Sequence, residues 1–157
     1  MTYQPKVYRT SGGDRQVVAS GGELDIESGA VVTNVALSLR DRATAAQVNA
    51  GKTILDVEDG YKFRLVDCIM IAVGDDAETA TGVQVKCGDT VLIDAKVAAL
   101  TQSTVARAGD TNVDVLADGA SFVTQGDGDD VTVVKDGDDL ATATHIDVIL
   151  SYVLEKA

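Results

Sequence analysis

Thr144–Leu154, THIDVILSYVL, alternates with a period of two. Ile146, Val148, Leu150, Tyr152 and Leu154 fall on one side of an extended chain, and His145, Asp147 and Ser151 on the other. That is the pattern of a strand with one face against a core. Working back from it, Tyr61–Val73, YKFRLVDCIMIAV, is the longest apolar run and is expected to be a central strand buried on both faces. Further strands are read at Ala30–Leu39, Lys52–Val57, Thr81–Cys87, Thr90–Val97, Asn112–Leu116, Ala120–Thr124 and Asp130–Lys135. Gly and Asp punctuate them: Glu58-Asp59-Gly60 as a turn, Gly88-Asp89 and Asp118-Gly119 as hairpin turns. Ala98–Gly109 reads ambiguously.

One short helix interrupts this pattern. In RDRATAAQVNAGK, Thr44 or Asp41 is placed to cap the start and Gly51 to end it. It is too short to stand alone and is expected to plug one end of a sheet domain. Short strands, frequent turns and no long helix together predict an all-β fold, a jelly-roll-like β-sandwich.

The N-terminal stretch follows a different rule. Ser11-Gly12-Gly13, Ser20-Gly21-Gly22 and Ser28-Gly29-Ala30 repeat one turn, separated by the extended runs Arg15–Ala19 and Glu23–Glu27. Five-residue strands cannot bury a core alone; such repeats gain stability by stacking on copies of themselves. Val17, Leu24 and Ile26 are therefore the expected trimer contacts. The predicted division is an attachment and trimerisation segment at 1–40 and a sandwich body at 41–157.

Composition sets the remaining bounds. With four Tyr, two Phe and no Trp in 157 residues, the core must be Val, Ile, Leu and Ala. The net charge of −12 lies beyond residue 51, whereas residues 1–22 carry three basic residues against one acidic. An acidic body disfavours nucleic acid, which needs clustered Lys and Arg. No apolar run reaches spanning length and the opening MTYQPKVYRT is polar, so neither a membrane segment nor a leader is expected. Cys68 and Cys87 are expected to be free buried thiols.

Candidate chemistry is sparse. His145, Asp147 and Ser151 contain the residue types of a catalytic triad, but no nucleophile elbow accompanies them. His145 is expected to be solvated, and the protein is expected not to be an enzyme. Gln125–Asp130, QGDGDD, resembles one turn of a Gly/Asp calcium repeat without a second copy. Asp127, Asp129 and Asp130 are the weak Ca2+ candidates; the expectation is a solvated acidic loop and no cofactor, because calcium needs six to eight converging oxygens.

Two sets of stretches resemble one family. KVYRTSGGDRQVVASGGELDIESGA is similar to the opening of many small tailed-bacteriophage and prophage virion proteins. TAAQVNAGKTIL, VAALTQSTVARAG, GASFV and ATATHIDVILSYVLE resemble the body of phage head decoration or head-fibre-like proteins. The resemblance covers nearly the whole chain, and its motifs are structural. It implies a trimeric β protein, made in the host bacterial cytoplasm and carried on the virion, whose N-terminus meets the major capsid protein and whose body projects outward. Lys6, Tyr8, Arg9 and Arg15 in the basic tip are the expected capsid-binding residues. The alternative is a carbohydrate-binding tail-fibre or receptor-binding module with surface glycans as partners; the low aromatic content weighs against it.

Overall fold

The computed structural model describes residues 7–9, 16–18 and 35–157 except Thr79, with side chains from residue 35 onward apart from that of Asp118. The chain divides into two compact units, Met1–Val31 and Val32–Ala157.

In the first unit, β1 (Val7–Arg9) pairs antiparallel with β2 (Gln16–Val18). Val7 pairs with Val18, Tyr8 with Val17 and Arg9 with Gln16. The expected run Glu23–Glu27 lies outside the described residues.

The second unit is a β-sandwich of two antiparallel sheets and one short helix. β3 (Leu37–Thr44) leads into α1 (Ala45–Ala50), then β4 (Lys52–Leu55), β5 (Tyr61–Val73), β6 (Ala80–Cys87) and β7 (Thr90–Lys96). β8 (Val105–Arg107), β9 (Val113–Val115), β10 (Val131–Gly137) and β11 (His145–Lys156) complete it. One sheet has the order β4-β10-β6-β7-β9 and the other β3-β11-β5-β8. Their inner faces supply the core: Phe63, Met70 and Leu150 from one, Val85, Ile93 and Val133 from the other, all fully buried. Burying such a side chain contributes about 1.5–3 kcal/mol each.

β11 behaves as its alternation requires, with Ile146, Val148, Leu150, Tyr152 and Leu154 buried. β5 departs from expectation. Only one face is fully buried, through Phe63, Leu65, Cys68, Met70 and Ala72, while the alternate positions are half-exposed and Val66 is exposed. The buried positions change parity at Val66 because the register jumps there: Ser151 pairs with Asp67, but Tyr152 pairs with Leu65. Val66 is a bulge residue, and the bulge lets a run of continuous apolar character keep one face inward on both sides of it.

The helix forms as the sequence asks. Thr44 caps it in a reciprocal box with Gln47, and Gly51, at φ +79°, ends it with its N–H on the Val48 carbonyl. Asp41 is not the cap; it lies inside β3, which runs on past the expected end at Leu39 to Thr44, while residues 30–34 of the expected run lie outside the described residues. Val48 is buried, and α1 touches β10 of one sheet and β3 and β11 of the other, closing the end of the sandwich.

The two-residue turn at Gly88-Asp89 joins β6 to β7, with Gly88 at φ +55°. Asp118-Gly119 is not a hairpin turn. Residues Ala117–Phe122 form a 3₁₀ helix there, fastened by the buried Ser121 hydroxyl, which donates to the Leu92 carbonyl and accepts from the Leu116 N–H. The ambiguous segment resolves into a 3₁₀ turn at Val97–Ala99 and the edge strand β8.

Candidate functional site

Strand alternation sends Arg40 and Arg42 of β3 and Asp147 and Glu155 of β11 to the outer face of the β3-β11-β5-β8 sheet, and Asp41 to the opposite side. Two rungs cross it. Arg42 pairs with Asp147, Asp147 with Ile71 and Ile71 with Val105; Arg40 pairs with Ile149, Ile149 with Ile69 and Ile69 with Arg107. Asp147 is only 5% exposed and holds both arginines of β3. Arg42 donates from Nε to Oδ1 at 2.6 Å and from Nη2 to Oδ2 at 2.8 Å, and Arg40 Nη2 donates to Oδ2 at 3.2 Å. This bidentate contact with Arg42, reinforced by Arg40, holds the Asp147 carboxyl down at about 2 against the opposing cost of burial.

The other arginines of this face are also tied to carboxylates. Arg107 Nη2 lies 2.8 Å from Asp67 Oδ2. Arg64 Nε donates to Glu155 at 2.6 Å, and the Thr124 hydroxyl donates to the second oxygen of the same carboxylate. All four arginines of residues 35–157 thus stand on one face. With Lys62 the face has five basic groups against Asp67, Asp147, Glu155 and Asp127, which is bridged opposite Lys62. The rest of residues 35–157 has five basic groups against seventeen acidic.

The same geometry removes the triad arrangement. Both oxygens of Asp147 are occupied by guanidinium groups, so it does not orient an imidazole. His145 is half-buried rather than solvated, and its Nε2 is enclosed without a hydrogen-bond partner. Ser151 sits on another rung, between Ser38 and Asp67.

The acidic loop candidates have local work. Asp127 accepts from the Gly60 N–H at 2.6 Å and Asp130 from the Val57 N–H at 3.1 Å, which clasps the loop to the turn before β5. The Asp129 carbonyl accepts from the Cys87 thiol. Among the described residues no group of three or more His, Cys, Asp or Glu side chains is arranged to hold a metal ion. Chelation by EDTA is therefore expected to shift the melting temperature by less than about 1 °C, since only a ligand bound to the native state raises stability. A drop of several degrees in a thermal scan would make these three aspartates ligands.

Cys68 and Cys87 are free and buried. Burial first, with nearby Asp67 for Cys68 and Asp129 and Asp130 for Cys87, pushes both thiols up to about 12. They stay protonated and unreactive at neutral pH.

Of the expected capsid-binding residues, Tyr8 and Arg9 lie on β1, and Val17, an expected trimer contact, stands across from Tyr8 on β2. Lys6, Arg15, Leu24 and Ile26 lie outside the described residues. An open cleft of about 300 Å³ beside β8 is lined mainly by small residues, among them Ala98, Ala99, Thr101 and Thr104. No family model matches the chain, and no curated protein sequence matches it.

The arginine cluster was not anticipated. Its one legible trace was Arg40 and Arg42 two residues apart on a strand, hence on one face. Replacing Asp147 with Asn should lower stability at neutral pH by about 2 kcal/mol, the scale of hydrogen bonds to a charged group. The folded-state value of Asp147 is depressed, so its contribution is complete above the ordinary carboxylate range and is lost as pH falls from about 4 through about 2. Thermal scans across that window should show the wild type losing its advantage over the variant; a constant difference would mean the pair does not titrate.

Proposed function

We propose that this protein is a structural component of a tailed-phage virion, a homotrimeric head decoration or head-fibre protein with a jelly-roll body bound to the major capsid protein. The observation that carries this reading is the strand order. With β9 set aside, the remaining eight strands, numbered in chain order, lie 1-8-3-6 in one sheet and 2-7-4-5 in the other. That order follows from a two-Greek-key winding, an architecture used by viral capsid and lectin domains. The resemblance of the N-terminal repeat to virion proteins selects between these two uses. So does the aromatic inventory: among the described residues Phe122 is the one exposed aromatic side chain, whereas a sugar platform needs more.

In this reading the protein has no catalytic role. The acidic bodies repel their neighbours and stand off the shell, and the basic tip lies on it through Lys6, Tyr8, Arg9 and Arg15. Val17, Leu24 and Ile26 join the copies.

The test is a mass-spectrometric inventory of purified particles produced from the genome that encodes this chain, with light scattering on the isolated protein. The reading requires the protein in finished heads and a solution mass of three chains. Its absence from particles, or selective binding on a glycan array, would favour the carbohydrate-binding alternative.

A further inference from the structure

We propose that the outer face of the β3-β11-β5-β8 sheet is an interface with a second copy of this chain, its arginine–isoleucine rungs set against the acidic loop surface of the neighbour. The inference rests on the reading of the protein as self-assembling and places a contact on the body as well as on the N-terminal repeat.

Charge complementarity identifies the occupant. The face carries five basic groups against four acidic, and the remainder of residues 35–157 carries five against seventeen. A copy of the same chain therefore offers the opposite charge on its other surfaces. A contact between two different surfaces of one chain is head-to-tail, and a head-to-tail contact that closes gives a ring such as a trimer.

The make-up of the face fits an interface. Interface cores are enriched in arginine and poor in lysine and acids, and every arginine of the body is here. Ile69, Ile71 and Ile149 form the middle of the rungs, and Val105 at the end of one rung is 54% exposed. Arg40, Arg42 and Arg107 are held in place by carboxylates, yet their side chains remain 67%, 55% and 60% exposed. Their ordering cost is met before association, and their outward N–H groups remain available. Asp147 is what fixes two of them.

The test uses the full chain with Val105→Cys. Since Cys68 and Cys87 are buried and protonated, the new thiol is the reactive one. Maleimide labelling is timed while light scattering reports the mass, with no other protein present. The expected result is a trimer in which labelling is roughly tenfold or more slower than for a free small thiol, and which speeds up when salt or dilution dissociates it. Arg107→Glu in the same background should restore fast labelling. A trimer that labels at the free-thiol rate overturns this interface while leaving self-assembly intact. A monomer at all concentrations overturns both. Protection that appears only after capsids are added assigns the face to the capsid protein and overturns the proposal.

Discussion

Replacing Phe63 with alanine should lower the melting temperature by roughly 6–20 °C. Phe63 is fully buried on β5 and stacks on Tyr152 with ring centroids 5.5 Å apart and planes at 26°. Both rings stand just beyond the Val66 bulge, where the register between β5 and β11 changes. Deleting a buried phenyl group costs about 3–5 kcal/mol, counting lost transfer energy and the cavity left behind. That is a large part of the 5–15 kcal/mol that holds a typical domain, and each kcal/mol moves the midpoint of a domain this size by roughly 2–4 °C. Phe63→Leu keeps most of the apolar volume and should show about a third of the effect. A drop below about 3 °C for the alanine variant would mean that Phe63 is not in the core. A one-residue slip of register would turn it outward, so such a result would also contradict the bulge.

The second large effect concerns attachment. Reversing Arg9 and Arg15 to glutamate changes residues 1–22 from three basic against one acidic to one basic against three acidic. In the proposed arrangement these arginines meet capsid carboxylates, where a planar guanidinium makes paired hydrogen bonds that lysine does not. A trimer presents the segment three times, so a modest loss at each contact compounds. Capsid binding at low salt should weaken by roughly a hundredfold or more, and the weakening of binding by added salt should be reduced, because the attraction that salt screens is gone. Equilibrium binding to undecorated heads at several salt concentrations measures both. Unchanged affinity at low salt would remove Arg9 and Arg15 from the contact.

Much of the sandwich was legible because local signals set its elements. Tyr61–Val73 was bounded by a Gly turn on each side, and the strand has those limits. Thr44 was one of two cap candidates, and its reciprocal box with Gln47 in the structure defines the start of α1. What escaped depended on partners far away in the chain. The Val66 bulge is hidden in a run where nearly every position is apolar, so the change of parity shows only against β11. Asp118-Gly119 suited a hairpin, but Ser121 bonds to Leu92 and winds that segment into a 3₁₀ helix instead. Asp147 looked like a surface acid beside a histidine. Its real partners are Arg40 and Arg42, more than a hundred residues earlier and adjacent only because β3 pairs with β11. Charged residues on an outer strand face leave no periodic signal of whom they meet, which is why the arginine face became visible only with the register.

The most direct test of attachment through the N-terminus is a pull-down on undecorated heads with the full chain and with a chain lacking residues 1–22, with circular dichroism to follow the sandwich. The account predicts that the full chain is retained, that the shortened chain is washed away, and that both give the same β spectrum. Equal retention of the two would contradict it, and would make the body the surface that meets the capsid.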